Sequence, residues 1–189
     1  MNDPLEQSNN RIDEIIQKAA SLDSDAFGEL YREFAPRIHR FVSYRVRNHD
    51  LADDITNQVF MKSLKAIGKY EHRSVPEFNA WLFRIARNTI SDHWRRSRPS
   101  VSLETLKGSF ELVDDNDELD RIANREQLSK AMKQLTPDQA EVLSMRFGLG
   151  MTHREIANIL NKQEPAVRAL QFRALTTLRA VLGEGESPA

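Results

Sequence analysis

The chain contains no cysteine. That excludes disulfides, thiolate metal ligands and a cysteine nucleophile. Glycine and proline are scarce, seven of each in 189 residues, too few for a turn-rich all-β fold. The length is too short for a TIM barrel or a full dinucleotide-binding enzyme. No stretch approaches the roughly 18 apolar residues that a membrane span requires, so no membrane insertion is expected. Met1 to Ser8 are polar and acidic, unlike a secretory leader, and a cytoplasmic location is expected. There is no glycine-rich phosphate loop. His39, His49, His72, His93 and His153 share no ligand spacing. Asp53, Asp54, Glu29 and Glu155 lack the Glu-x-x-His spacing of helical di-metal sites. The expectation is a non-enzyme with no cofactor and no metal.

Charge is balanced overall, net −1, but not along the chain. Residues 1–25 carry net −4, residues 26–98 net +6, residues 99–125 net −4 and residues 126–189 net +1. A basic block between acidic flanks fits a polyanion-binding module with solvated connectors.

The apolar periodicity is helical throughout. Phe27, Leu30, Tyr31, Phe34, Ile38, Phe41 and Val42 form one stripe, with a kink or break expected at Pro36. Asp50 is placed to cap a second helix with Ile55, Val59, Phe60, Leu64 and Ile67 inward, stopping at Gly68. Ser74 and Glu77 have capping-box spacing and open a third helix ending near Arg98. Residues 99–121 lose the period and read as a flexible acidic linker. Because the linker lacks apolar anchors, the halves it joins are expected to move independently. Helical pattern then resumes, with Thr136-Pro137-Asp138-Gln139 and Thr152-His153-Arg154-Glu155 as strong starts. The reading is all-α: an acidic segment 1–21 without an interpretable motif, a helical domain 22–98, the linker, a second helical domain 122–183 and a tail 184–189.

Two segments carry chemistry. Residues 152–160 and the helix from Glu164 have the layout of a helix-turn-helix. With Val167 and Leu170 inward, Arg168, Ala169, Phe172 and Arg173 point outward. Arginine pairs with guanine or neutralises phosphate, and an exposed phenylalanine meets a thymine methyl. In the third helix, Leu82, Ile85, Ala86, Thr89, Ile90 and His93 share one face. Arg84, Arg87, Ser91, Trp94 and Arg95 share the other, with Asn88 at its edge and Arg96 following. Cations interleaved with an aromatic and an amide suit single-stranded nucleic acid. The preceding loop, with Tyr70, His72 and Arg73, is suited to holding an unstacked base.

Together the halves resemble bacterial sigma-70-type RNA polymerase sigma factors of the short, two-domain extracytoplasmic-function group. The resemblance rests on Phe27 to Phe41, Leu51 to Phe60, Trp81 to Asn88 with Asp92 and Arg95-Arg96, Leu135 to Gln139, Arg146-Phe147, Glu155-Ile156-Ala157 and Arg173-Ala174-Leu175. It implies a region 2-like helical bundle and a region 4-like helix-turn-helix domain. It implies that Asp54, Asn57, Gln58, Met61 and Lys62 meet the β′ clamp helices of core RNA polymerase, with the β subunit as a further contact. It implies recognition of a melted −10 element by Tyr70, His72, Arg73, Arg84, Arg87, Asn88, Ser91, Trp94, Arg95 and Arg96. A duplex −35 element falls to Thr152, Arg154, Glu164, Arg168, Ala169, Phe172 and Arg173, and an anti-sigma factor is an implied partner. The turn before the last helix departs from the family, with Pro165-Ala166, preceded by Gln163-Glu164, where Gly-Thr is usual. The −35 sequence therefore does not carry over. The rival reading is a helix-turn-helix regulator that binds duplex DNA without polymerase. It leaves the Arg84–Arg96 face and the 51–67 helix without a task.

Overall fold

The computed structural model describes residues 4–46, 48–72, 74–97 and 131–183. Among these, helices are the only regular elements: α1 (Pro4–Ala20), α2 (Ser24–Ser43), α3 (His49–Ile67), α4 (Val75–Ser97), α5 (Pro137–Leu143), α6 (His153–Leu160) and α7 (Glu164–Gly183). A π turn, Ser144–Gly148, extends α5. The acidic linker, Arg73 and the tail lie outside the described residues.

The first half is a bundle of α1 to α4 around Leu30, Phe34, Ile38, Phe41, Ile55, Val59, Phe78, Phe83 and Ile90, all buried. Edge-on rings lock it: Phe34 against Phe78 at 5.2 Å and Phe41 against Phe83 at 5.2 Å. Each such pair adds about 0.5–1.5 kcal/mol beyond its buried area. The bundle corrects the expectation for the first residues. Residues 1–21 contain a packed amphipathic helix, because Ile12, Ile15, Ile16 and Ala19 fall on one face, with Ile16 and Ala19 buried.

Pro36 does not break α2, which runs through it. The missing hydrogen bond and ring clash cost about 3 kcal/mol. Ile38, Phe41 and Val42, all buried, continue the face begun by Leu30 and Phe34 and offset that cost. The N-cap of α3 is Asn48, not Asp50; its side chain accepts from the Leu51 amide at 3.1 Å. Gly68 ends α3 as expected, although with right-handed backbone. Ser74 Oγ accepts from the Glu77 amide at 3.3 Å at the start of α4.

Both predicted capping boxes in the second half are formed, Thr136 with Gln139 and Thr152 with Glu155. Asn161, left-handed at φ 52°, closes α6 and turns the chain into α7. Val167 and Ala174 on α7 are buried, as are Ile156, Ala157 and Leu160 on α6. The helix-turn-helix therefore packs through the faces its periodicity marks.

Candidate nucleic-acid interface

The exposed residues of α3 include Asp54, Asn57, Gln58 and Met61, and Leu64, expected inward, is also exposed one turn on. They make a continuous polar-to-apolar stripe at the surface of the first half. Tyr31 Oη donates to Asn57 Oδ1 at 3.4 Å. Lys62 turns aside to Asp92 Oδ2 at 3.2 Å and ties α3 to α4. That hydrogen bond, helped by the Lys62, Arg95 and Arg96 charges and opposed by partial burial, holds the Asp92 carboxyl below its ordinary range.

On α4, Arg84, Asn88, Arg95 and Arg96 are exposed, and Arg87, Ser91 and Trp94 half-buried. The predicted apolar face is in place, with Leu82, Ala86, Thr89 and Ile90 buried. Trp94 is less available than its helical position implied, since it packs partly on the core and against His93 at 5.5 Å. The loop residues do not all face outward. Tyr70 lies in an aromatic cluster with Trp81 at 4.8 Å and Phe78 at 5.5 Å. His72 turns inward, its Nε2 2.8 Å from Asp13 Oδ1 on α1. Its partner belongs to the segment that the sequence left uninterpreted, so this contact was not foreseeable. Arg73 lies outside the described residues.

On α7, Phe172 is 70% exposed and is flanked by exposed Arg168 and Arg173. Ala169 is half-buried beside them. Arg168 Nε reaches Glu164 Oε1 at 3.2 Å, one helical turn back. The added carboxylate thus orients the arginine. Thr152 is exposed, and its hydroxyl caps α6 by accepting from the Glu155 amide at 3.2 Å. Arg154 is exposed on the next position but one.

In the arrangement described, the two halves pack against each other. Arg87 Nε donates to Glu141 Oε1 at 2.6 Å and its Nη2 to Oε2 at 3.0 Å. Arg45 Nη2 meets the same Oε1 at 2.9 Å. Glu141 is 5% exposed; a charge so buried persists only when paired. Arg84 Nη1 donates to the Asn158 carbonyl at 3.0 Å. Tyr44 Oη donates to the Gly148 carbonyl at 3.3 Å, and its ring lies where a Cβ on Gly148 would stand, 2.6 Å from the nearest ring atom. A cleft of about 440 Å³ remains between the halves, lined by Tyr70, Arg84, Asn158 and Lys162 among others. The anchors sit on the domains and not on the linker, which is why the linker's composition did not reveal them. Glu141 was missed altogether; its one signal was a lone acid in the run Ala140-Glu141-Val142-Leu143.

Family comparison covers both halves. Residues 30–99 match the family described as Sigma-70 region 2, and residues 131–180 match Sigma-70, region 4. The chain is 34% identical over 180 residues to the ECF RNA polymerase sigma factor BldN of Streptomyces coelicolor, covering 91% of this chain and 66% of that protein. It is 31% identical over 166 residues to the RNA polymerase sigma factor CarQ of Myxococcus xanthus, covering 86% and 92%. In fold it is similar to the sigma factor RpoE of Bartonella quintana, solved with the anti-sigma factor NepR, at TM-score 0.61 and 22% identity over 83% of this chain and 96% of that one.

Proposed function

Because the chain belongs to the sigma-70 family of RNA polymerase sigma factors, within its extracytoplasmic-function group, it directs transcription initiation, and we propose how its two halves divide that work. The stripe Asp54, Asn57, Gln58 and Met61 docks on the β′ clamp helices of core polymerase. Lys62 acts as a positioning residue there, holding α3 on α4 through Asp92. The β subunit receives the second half.

The α4 face takes the −10 element as a melted strand. Arg84, Arg87, Arg95 and Arg96 neutralise phosphate, and Asn88, Ser91 and Trp94 contact bases. Tyr70 borders the place for an unstacked base, and Arg73 keeps the role that the resemblance implies for it. His72 supports that loop from behind through Asp13. The α7 face reads the −35 element in the major groove with Arg168, Phe172 and Arg173. Thr152 and Arg154 meet the backbone at the start of α6, and Ala169 permits close approach. The observation that carries this reading is Phe172: a large apolar ring, 70% exposed between two guanidiniums, contributes nothing to packing.

In the packed arrangement Arg84 and Arg87 are held by Asn158 and Glu141. The −10 face is then partly covered by the −35 domain, so DNA engagement requires the halves to separate. Docking on polymerase supplies the free energy for that separation. By analogy with the RpoE relative, an anti-sigma factor is the partner that holds the chain before release. On the family reading the chain acts beside RNA polymerase in the cytoplasm and as a specificity subunit, with no reaction of its own assigned to it. No helix among the described residues is long and apolar enough to cross a membrane.

The test is transcription from a pool of genomic DNA fragments by core polymerase with and without the purified chain. The expected result is discrete starts sharing spaced −10 and −35 elements, absent without the chain and weakened by Phe172→Ala. Duplex binding by the chain alone, with no polymerase-dependent starts, would establish the free regulator instead.

A further inference from the structure

We propose that His39, His49 and Asp53 form a binding site for one divalent transition-metal ion of the zinc class. His39 comes from the end of α2, and His49 and Asp53 from the start of α3. His39 Nε2 lies 3.0 Å from Asp53 Oδ1, and His49 Nδ1 lies 3.1 Å from Asp53 Oδ2. The three ligand atoms all lie within 4.8 Å of one another. Ligands about 2.0–2.1 Å from one tetrahedral centre stand roughly 3.3 Å apart, so side-chain adjustment alone closes the group around an ion. His49 and Asp53 are one helical turn apart and face the same way. No ligand motif is visible in the sequence because His39 and His49 are brought together only by the turn between two helices.

Two observations distinguish this cluster from an ordinary surface histidine–carboxylate pair. His39 Nε2 is shielded from solvent and makes no hydrogen bond, although Asp53 stands 3.0 Å away. The carboxylate is therefore near the nitrogen but off the line a hydrogen bond needs. The other nitrogen, Nδ1, faces Ser43 Oγ at 3.5 Å. A proton held on Nδ1 and directed at that hydroxyl leaves the Nε2 lone pair facing the cluster. Outer-shell partners fix ligating imidazoles in this way.

The donor set chooses the ion. Two imidazole nitrogens and one carboxylate, with no thiolate, suit zinc, nickel or copper(II). Calcium and magnesium require more oxygen ligands than are present. Three protein ligands leave a fourth position for water or an external donor. A bound ion fastens the end of α2 to the start of α3, one residue before Asp54 on the exposed stripe.

The test uses the full chain after dialysis against a chelator. Titration with zinc chloride is followed by calorimetry, and with cobalt(II) by visible absorption. The expected result is one saturable equivalent, a zinc-dependent rise in Tm and the intense visible bands of a four-coordinate cobalt centre. His39→Gln, His49→Gln and Asp53→Asn should each weaken binding at least tenfold, while His153→Gln should not. His49 is 79% exposed, so its variant keeps the fold and decides the matter if the His39 variant does not. No saturable equivalent in the wild type, or an equivalent retained in the His49 and Asp53 variants, overturns the proposal. None of these readouts involves polymerase or DNA, so they stand whatever the role in transcription.

Discussion

Arg87 and Glu141, 54 positions apart in sequence, form a two-pronged ion pair at 2.6 and 3.0 Å across the boundary between the two halves. Charge-assisted, bidentate pairs of this kind are directional as well as strong. Glu141→Gln removes the charge and keeps the shape. We expect it to weaken the closed arrangement by about 1.5–3 kcal/mol. The absence of native cysteine makes the measurement clean. Labels on Glu71→Cys and Lys162→Cys, which line the same cleft between the halves, should report a short distance in the parent and a longer, broader one with Glu141→Gln. Identical distributions would refute the role of the pair.

Met61 is 56% exposed in the middle of the α3 stripe. Met61→Glu should leave Tm unchanged and weaken core polymerase binding about tenfold, or ~1.4 kcal/mol. Competition against a labelled parent chain measures this. Undiminished affinity would move the docking surface off α3.

Phe172→Ala and Arg173→Ala remove exposed groups from α7 and should not perturb folding. Each should cost about 1–3 kcal/mol of promoter binding by the holoenzyme, with the loss confined to one or two base positions. Footprinting over the −35 region reads the outcome. A loss spread evenly over all sequences would make the contact one to phosphate only.

Asp92 carries the pH dependence. The Lys62 hydrogen bond leads the causes that hold its carboxyl below the ordinary value of 3.8. A carboxyl depressed in the folded state stabilises the fold above its unfolded pKa, and that stabilisation is lost as pH falls through the folded value. Asp92→Asn should therefore lower Tm at neutral pH and have little effect at acidity well below the ordinary carboxylate range. An equal deficit at both ends of a pH series of melting curves would mean a packing effect instead. The increment is small, because both partners of the pair are more than a third exposed or close to it.

The helix starts were the most legible part of the sequence. Thr136 with Gln139 and Thr152 with Glu155 form reciprocal caps from residues three apart, and such local chemistry survives any tertiary context. The faces of α4 and α7 were legible for a similar reason, since periodicity alone sorts Val167 from Phe172. Pro36 was misread because local cost was weighed without the buried Ile38 and Phe41 beyond it. The α3 cap was misplaced by two residues, since Asn48 and Asp50 both have suitable side chains. Helix α1 was overlooked, although Ile12, Ile15, Ile16 and Ala19 have the spacing of a packed face. The acidic residues around them masked it. Contacts between distant segments had no local signature at all. Nothing near His72 names Asp13, and nothing near Arg87 names Glu141.

Gly148 has a consequence beyond its own turn. Its backbone does not call for glycine; the Tyr44 ring does, by filling the space a methyl group would take. The close fit of Tyr44 on this turn thus depends on a single absent carbon, beside the Arg87–Glu141 pair. A methyl group at this position would press on the Tyr44 ring and strain the joint, while every cap and the reading helix stay untouched. A lineage of such proteins can therefore gain or shed the closed form in one step, with promoter choice unaltered. Self-restraint and sequence preference are in this way separately heritable traits of one short chain.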